Sequence, residues 1–550
     1  MANPVIWLAP PLDIGSGTEI LFSNPSSNKV WFSGQEATGL ITVPAGCTSV
    51  TWEIIDHVTT SIAASGSGRS VTATLTYNSG MNVYDLRITA LKLGFPAFER
   101  IIPAEMVVQF PRFTKVEANL VINMASATID YDGGWVDRPG YKIYVENDCT
   151  HRFNPYYWRS SNDALPVIFQ FNDNTITSST FCFTPGPCEN TIFTGLADPT
   201  KTHGLKCVKG SSGSNQVFLA DVADNTHGGR RMTFCGIWAE NTSSAFGGSC
   251  FQIQTSATST RNYNNYTFDQ PLFFNCLATN ARDEGYYLYH FSDSDNSSGF
   301  YWSGSSNGLY FRLDTNNTGN EGMQIGSTFD SEVFLCSWVN AGTRDQSAHR
   351  NQLQVSGGNR NLAVYMNYME GSRNIFSGFT GRRGKDIEIF SNIVYSTGRS
   401  ASDGVNLYFK MEQNDTYSQL DWKMYNNTFV MSTYLPFSIY NEQPSPTTIW
   451  NTLTLADNIV VTNTATTNEQ VDSPVSTYFT IANYQVTNSA LPQFVDFAGK
   501  NLKLATLSSP AFRPRHSFTK RHRLADYDKD GYKFLADVCG GYSGFELQNQ

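Results

Sequence analysis

The sequence predicts an all-β chain: a right-handed parallel β-helix solenoid preceded by an immunoglobulin-like β-sandwich. Three observations lead there. Charged residues make up only 16% of the 550 residues while aromatic residues reach 13%, and this mixture suits pleated strands joined by polar turns better than surface helices laced with Glu/Lys pairs. Short alternating strands fill residues 1–108. From residue 136, short apolar segments ending in an Asn-containing turn recur again and again.

In the first region the strands read Lys29-Val-Trp-Phe, Ser49-Val-Thr-Trp-Glu-Ile-Ile, Ser70-Val-Thr-Ala-Thr-Leu-Thr and Val83-Tyr-Asp-Leu-Arg-Ile-Thr-Ala, with turns expected at Ser65-Gly-Ser-Gly and Asn78-Ser-Gly. Strands at this spacing with turn residues between them suit an immunoglobulin-like sandwich. Such a domain serves more often as an anchor or spacer than as a catalyst. Residues 109–135 read as a connecting or capping segment.

The solenoid, residues 136–500, is clearest at Leu362-Ala-Val-Tyr-Met-Asn367, Ile387-Glu-Ile-Phe-Ser-Asn392, Trp422-Lys-Met-Tyr-Asn-Asn427 and Leu453-Thr-Leu-Ala-Asp-Asn458. The asparagines are 25, 35 and 31 residues apart (367 to 392, 392 to 427, 427 to 458). Val333-Phe-Leu-Cys-Ser-Trp338 fits the frame 29 residues before Asn367, and Leu272-Phe-Phe-Asn275 fits it more loosely. An uneven period of roughly 20 to 50 residues marks stacked repeats whose loops vary in length. Asparagine suits the corner because it tolerates the left-handed conformation and bonds locally, and stacked Asn side chains can continue the ladder. A β-propeller would need four strands per unit and more even spacing.

On these residues, 136–550 resemble the right-handed parallel β-helix superfamily that contains pectate lyases, other polysaccharide lyases and phage tailspikes. The closing segment, 501–550, carries Leu502-Lys-Leu, Ser509-Pro-Ala, Asp526-Tyr-Asp-Lys-Asp-Gly531 and Gly540-Gly-Tyr-Ser-Gly-Phe-Glu546. It is similar to the capping tails of bacterial β-helix proteins, especially those of Bacteroidetes and their viruses. The resemblance implies a polysaccharide-facing surface. The family's paired aspartates with Gly-His-Gly and Arg-Ile-Lys, and its pectate-lyase cluster, are missing here, which weakens the enzyme reading.

Composition narrows the partners. A formal net charge of -10 without a basic stripe argues against nucleic acid; the one basic cluster, Arg513 to Arg523, adjoins an acidic run. No stretch approaches the roughly 18 apolar residues of a membrane span. The N-terminus lacks a positive region followed by an apolar stretch, so the expected route outside is assembly into a virus particle and release by lysis. The ten cysteines form no repeated zinc-type pairs. Cys182 and Cys188 could bridge a tight loop, but thiols such as Cys235 and Cys336, inside apolar strands, read as small buried hydrophobes.

Candidate site residues follow from chemistry. Aromatic rings pack against sugar C–H faces, and the set Tyr286, Tyr289, His290, Tyr301, Trp302 and Tyr310 is the candidate glycan surface; the competing reading is stacking inside the coils. For catalysis, Asp345, His349, Glu370, Arg373 and Arg382 offer a base and a cation for an enolate-like charge. Each also reads as a solvated loop residue. Asp526, Asp528, Asp530 and Asp537 have calcium-loop spacing with a glycine at the sharp turn, against the simpler reading of a capping turn. No other cofactor is required.

Two functions from different classes are expected. The first is a virion-associated spike or fibre, perched on its sandwich anchor, that presents a glycan-binding β-helix to a host surface, with or without depolymerase activity. A homotrimer attached to a larger particle is compatible with this layout. The second is a secreted or surface polysaccharide lyase or glycoside hydrolase of a bacterium.

Overall fold

The computed structural model describes the chain from Glu19 to Leu504, apart from residues 25–28, 44–45, 94–97, 127–134, 196–203, 211–215, 222–227, 243–247, 255–267, 290–304, 327, 343–350, 356–358, 372–373, 380–384, 397–406, 412–419, 426, 431–436, 442–452, 463–469, 472–478, 488–493 and 497–500. Every regular element among the described residues is a strand. The chain forms two compact units, one holding Met1–Pro111 and the other Arg112–Leu502.

In the first unit, Glu19–Asn24, Glu36–Thr42 and Ser70–Thr74 form a three-stranded antiparallel sheet. Val30–Phe32, Phe98–Gln109, Val83–Lys92, Cys47–Asp56 and Ile62–Ser67 form a five-stranded sheet, in that order, with one parallel pairing between its first two strands. Both sheets turn alternate residues into one core, where Ile41 and Val71 from the first meet Trp52, Ile54, Leu86 and Ile88 from the second. Of the turn expected at Ser65-Gly-Ser-Gly, the first three residues extend the strand Ile62–Ser67, and the chain turns at the last, Gly68, whose φ is 91°. Trp52 is the reason: its indole lies where a Cβ on Gly66 would sit, 2.4 Å from Cζ2. Asn78-Ser-Gly is a turn, tied by Asn78 Oδ1 accepting from Gly80 N at 2.6 Å.

In the second unit the strands of the 24-stranded and nine-stranded sheets pair in parallel with their counterparts in neighbouring repeats. The register Phe193, Phe234, Phe273, Tyr310, Val333, Val364, Ile389, Met424 runs through seven such steps. A full repeat contributes three segments. Arg360–Tyr365 and Tyr368–Gly371 lie on either side of the Asn367 corner in a 24-stranded sheet, and Asn374–Phe379 belongs to a nine-stranded sheet. Ahead of the repeats, Leu120–Asn123 pairs in parallel with Lys142–Glu146. Just before it, Gln170 clasps the backbone of Phe113, accepting from its N and donating to its O, both at 2.9 Å. Gln170→Ala leaves two buried peptide groups without partners and is expected to cost about 2 kcal/mol in urea unfolding.

The interior between the sheets is filled by columns of like side chains. Phe193, Phe234 and Phe273 stack with centroids 5.1 and 4.4 Å apart. At the next register position the alternation turns Phe274, Phe311, Phe334, Tyr365, Phe390 and Tyr425 to the other side of the strands. There they form a second column at 4.9–5.4 Å spacing, with the Tyr365 hydroxyl donating to buried Glu332 at 2.7 Å. The nine described cysteines are free thiols, and all but Cys47 are buried. Cys182 and Cys188 therefore do not bridge; burial pushes both thiols up to about 12, which makes them inert packing groups.

The asparagine corner is a buried ladder. Asn367, Asn392, Asn427 and Asn458 are each fully buried. Each of the first three donates both its backbone N and its Nδ2 to the Oδ1 of the next asparagine, at 2.9–3.0 Å. The left-handed residue, however, is the one before the ladder position. Leu335, Met366 and Ser391 have φ of 54°, 53° and 52°. This frees the asparagine side chain to point inward, and the ladder bonds offset the strain of a non-glycine residue there. Asn275, at φ 51°, is likewise the left-handed residue of its corner and not a rung of the ladder.

Candidate functional site

Most of the residues singled out from the sequence lie outside the described residues: Asp345, His349, Arg373, Arg382, His290, Tyr301, Trp302, Asp526, Asp528, Asp530 and Asp537. Tyr289 closes the strand Tyr286–Tyr289, and its side chain is outside them too. Glu370 is described, half-buried, and accepts from the Tyr368 hydroxyl at 2.6 Å; burial and this carboxylate push the phenol upward. Tyr286 and Tyr310 are corrected. Both are 0% exposed, with Tyr286 stacked on Phe251 at 4.9 Å and donating to Cys276 O at 2.7 Å. Tyr310 shares a 2.7 Å bond with Ser305. Rings enclosed on all sides cannot line a glycan surface.

The described residues assemble polar chemistry elsewhere, at the corner leading into the nine-stranded sheet. Asp283-Glu284-Gly285 and Asn320-Glu321-Gly322 are the same tripeptide pattern 37 residues apart, and they stack directly. The backbone sets this register: Gly285 N donates to Glu321 O at 2.9 Å, and Cys250 N, one repeat earlier, donates to Glu284 O at 3.0 Å. Glycine is needed at the third position because a Cβ on Gly322 would lie 2.8 Å from Gln352 O, and one on Gly285 2.7 Å from Gly322 O. The repeated Asp/Asn-Glu-Gly is the sequence signal of this corner.

The stacking brings two carboxyl groups together. Parallel register stacks Glu284 on Glu321, one rung apart. Ser249 Oγ donates to Glu284 Oε2 at 2.5 Å from the rung before, and Asn351 Nδ2 donates to Glu321 Oε1 at 2.8 Å from the rung after. Ser249, Glu321 and Asn351 are 3%, 1% and 1% exposed. Burial, then the charge of Asp283, pushes Glu284 up to about 7; burial, then Glu284, pushes Glu321 well above the carboxylate range. Asp283 accepts from Gly248 N at 2.7 Å and from Asn320 Nδ2 at 3.2 Å. Carboxyl groups stacked on adjacent rungs oppose each other's ionisation, so a proton stays on the pair.

Beside this corner the sheet presents a polar outer face. Lys206 Nζ sits 3.8 Å above the Trp238 ring and pairs with Glu240 at 2.9 Å. The Trp238 indole N–H donates to Thr279 at 2.8 Å. Asn317 donates to Asn280 at 2.7 Å, and Asn340 to Asn316 at 3.1 Å. Lys206 therefore covers one face of the half-buried Trp238 ring. Among the described residues no group of three or more His, Cys, Asp or Glu side chains is arranged to hold a metal ion, and no helix is long and apolar enough to cross a membrane. Set against known proteins, the chain matches no family model, no curated protein and no solved structure.

Proposed function

We propose that the second unit is a right-handed parallel β-helix that binds an extended polysaccharide along its outer face, and that the first is an immunoglobulin-like anchor. Together they would make a spike or fibre subunit of a virion, or of a comparable surface assembly, that recognises a host glycan. What carries the reading is the unbroken run of parallel rungs from Leu120–Asn123 to Phe479–Thr487. Rungs about 4.8 Å apart repeat polar side chains such as Glu240, Asn280, Asn317 and Glu370 along one surface. A polymer of repeating sugars can follow such a track, and each hydroxyl met by an amide or carboxylate adds roughly 1 kcal/mol.

The test is retention of the full chain on a panel of uronate-containing and neutral polysaccharides, with absorbance of unsaturated products and new reducing ends read in parallel. Binding to at least one cell-surface polysaccharide is expected, weakened about fivefold by removing one surface amide, as in Asn317→Ala. Product formation would add depolymerase activity to the spike or move the chain to the lyase or hydrolase class. No retention on any glycan would end the recognition reading.

A further inference from the structure

We infer that Glu284 and Glu321 act as a one-proton clamp that fastens the rungs at Ser249, Glu284, Glu321 and Asn351, and that this corner loosens when the proton leaves. Geometry carries the inference. Glu284 and Glu321 are stacked on adjacent rungs, about 5 Å apart, and like charges that close resist ionising together, so the pair keeps a proton. The flanking bonds do not replace it: Ser249 donates to one carboxyl and Asn351 to the other, from opposite rungs. The surroundings are rich in acceptors. The side-chain oxygens of Asn351 and Gln352 have no hydrogen-bond donor, although the residues are only 1% and 0% exposed. The charged group facing the pair is Asp283 on its own corner, which opposes a second negative charge; Lys209 faces Asp283. Lys209 belongs to Leu205–Lys209, is buried, and feels both Asp283 and the Cys250 thiol. Losing the proton would leave two stacked carboxylates beside a third, with Glu321 itself only 1% exposed.

The direction with pH follows from linkage. Glu284 is raised from 4.5 to about 7 when folded, and Glu321 moves the same way, so between those values the native state holds protons that the unfolded chain has released. The clamp is therefore fully effective below about pH 4.5 and is lost as pH rises through about 7. The pair titrates as a unit, with its steps shared between the two residues. The outer face with Asn280 and Asn317 adjoins this corner, but the clamp does not depend on what that face binds.

The experiment is hydrogen–deuterium exchange by mass spectrometry on the full chain, comparing wild type with Glu321→Gln, which keeps a hydrogen-bonding side chain of the same size without a charge to gain. At pH 5 the two should protect the amides of Phe251–Gln254 and Tyr286–Tyr289 equally. At pH 8 wild type should open there at least tenfold more often than the variant, because each pKa unit is a tenfold change in equilibrium. Arg360–Tyr365, three repeats away from Glu284, serves as the internal control and should not change. An equal ratio at both pH values would overturn the clamp. So would calcium closing the corner of wild type at pH 8, since the pair would then be a cation site. Should Glu321→Gln not fold, the infrared carbonyl band of a neutral carboxylic acid decides on wild type alone. It should persist at pH 6, where free glutamate is ionised, and its absence there would overturn the inference.

Discussion

Asn392→Ala is expected to lower the stability of the second unit by about 3–6 kcal/mol, measured as a shift in urea midpoint at unchanged slope. Asn392 accepts from Asn367 through both backbone N and Nδ2, at 3.0 Å each, and its own Nδ2 donates to Val364 O, Phe390 O and Asn427 Oδ1 at 2.9–3.0 Å. Truncation strips partners from two donors on one side and two carbonyls on the other, in a column where every member is fully buried. Water could repair the damage only by entering between the rungs. A leucine of similar volume should not rescue the variant, because the loss is in hydrogen bonding and not in packing. Were Asn392→Ala to unfold at the wild-type midpoint, the ladder would be ornament, and the left-handed strain at Met366 and Ser391 would need another source of compensation.

The same ladder shows how much was legible beforehand. The intervals 25, 35 and 31 read from the sequence are the intervals at which Asn367, Asn392, Asn427 and Asn458 bond to one another. Four identical polar residues each following an apolar run leave few other ways to satisfy their amides. Before Asn367 the signal fades because the column changes chemistry. The residue in register there is Cys336, whose backbone N donates to Asn367 Oδ1 at 2.9 Å, and not Trp338, two positions later, which pairs with Met369. A thiol fills the corner with no amide to announce it. The left-handed positions were illegible for a related reason: Leu335 and Met366 have no intrinsic preference for φ above zero, and only the neighbouring ladder imposes it.

The polar corner was hidden by the opposite effect. Asp283-Glu-Gly and Asn320-Glu-Gly look like ordinary surface turns, and charged residues are rarely buried unless paired. Their recurrence becomes meaningful only once parallel register places Glu284 beside Glu321. The two-sheet unit at the N-terminus shows a milder version. Its strands Cys47–Asp56 and Val83–Lys92 span the segments read from the sequence, whereas the turn expected at Ser65-Gly-Ser-Gly is confined to Gly68 because Gly66 makes room for Trp52 within the strand.

Tyr286→Ala should separate the interior reading of the aromatic residues from a surface one, with a loss of about 3–5 kcal/mol and no specific effect on glycan retention by the protein that remains folded. The ring is stacked on Phe251, and its hydroxyl bonds to Cys276 O at 2.7 Å and Asp314 O at 3.2 Å, carbonyls on two successive rungs. Truncation opens a cavity in a close-packed column and leaves those carbonyls short of a donor. Tyr286→Phe isolates the second contribution and should cost about 1 kcal/mol, so the pair of variants divides packing from hydrogen bonding. A binding platform would behave in reverse, because an exposed tyrosine contributes little to folding while its truncation removes contact area with the sugar. An alanine variant that unfolds with wild type yet no longer binds polysaccharide would return Tyr286 to the surface and with it the register of the strand Tyr286–Tyr289.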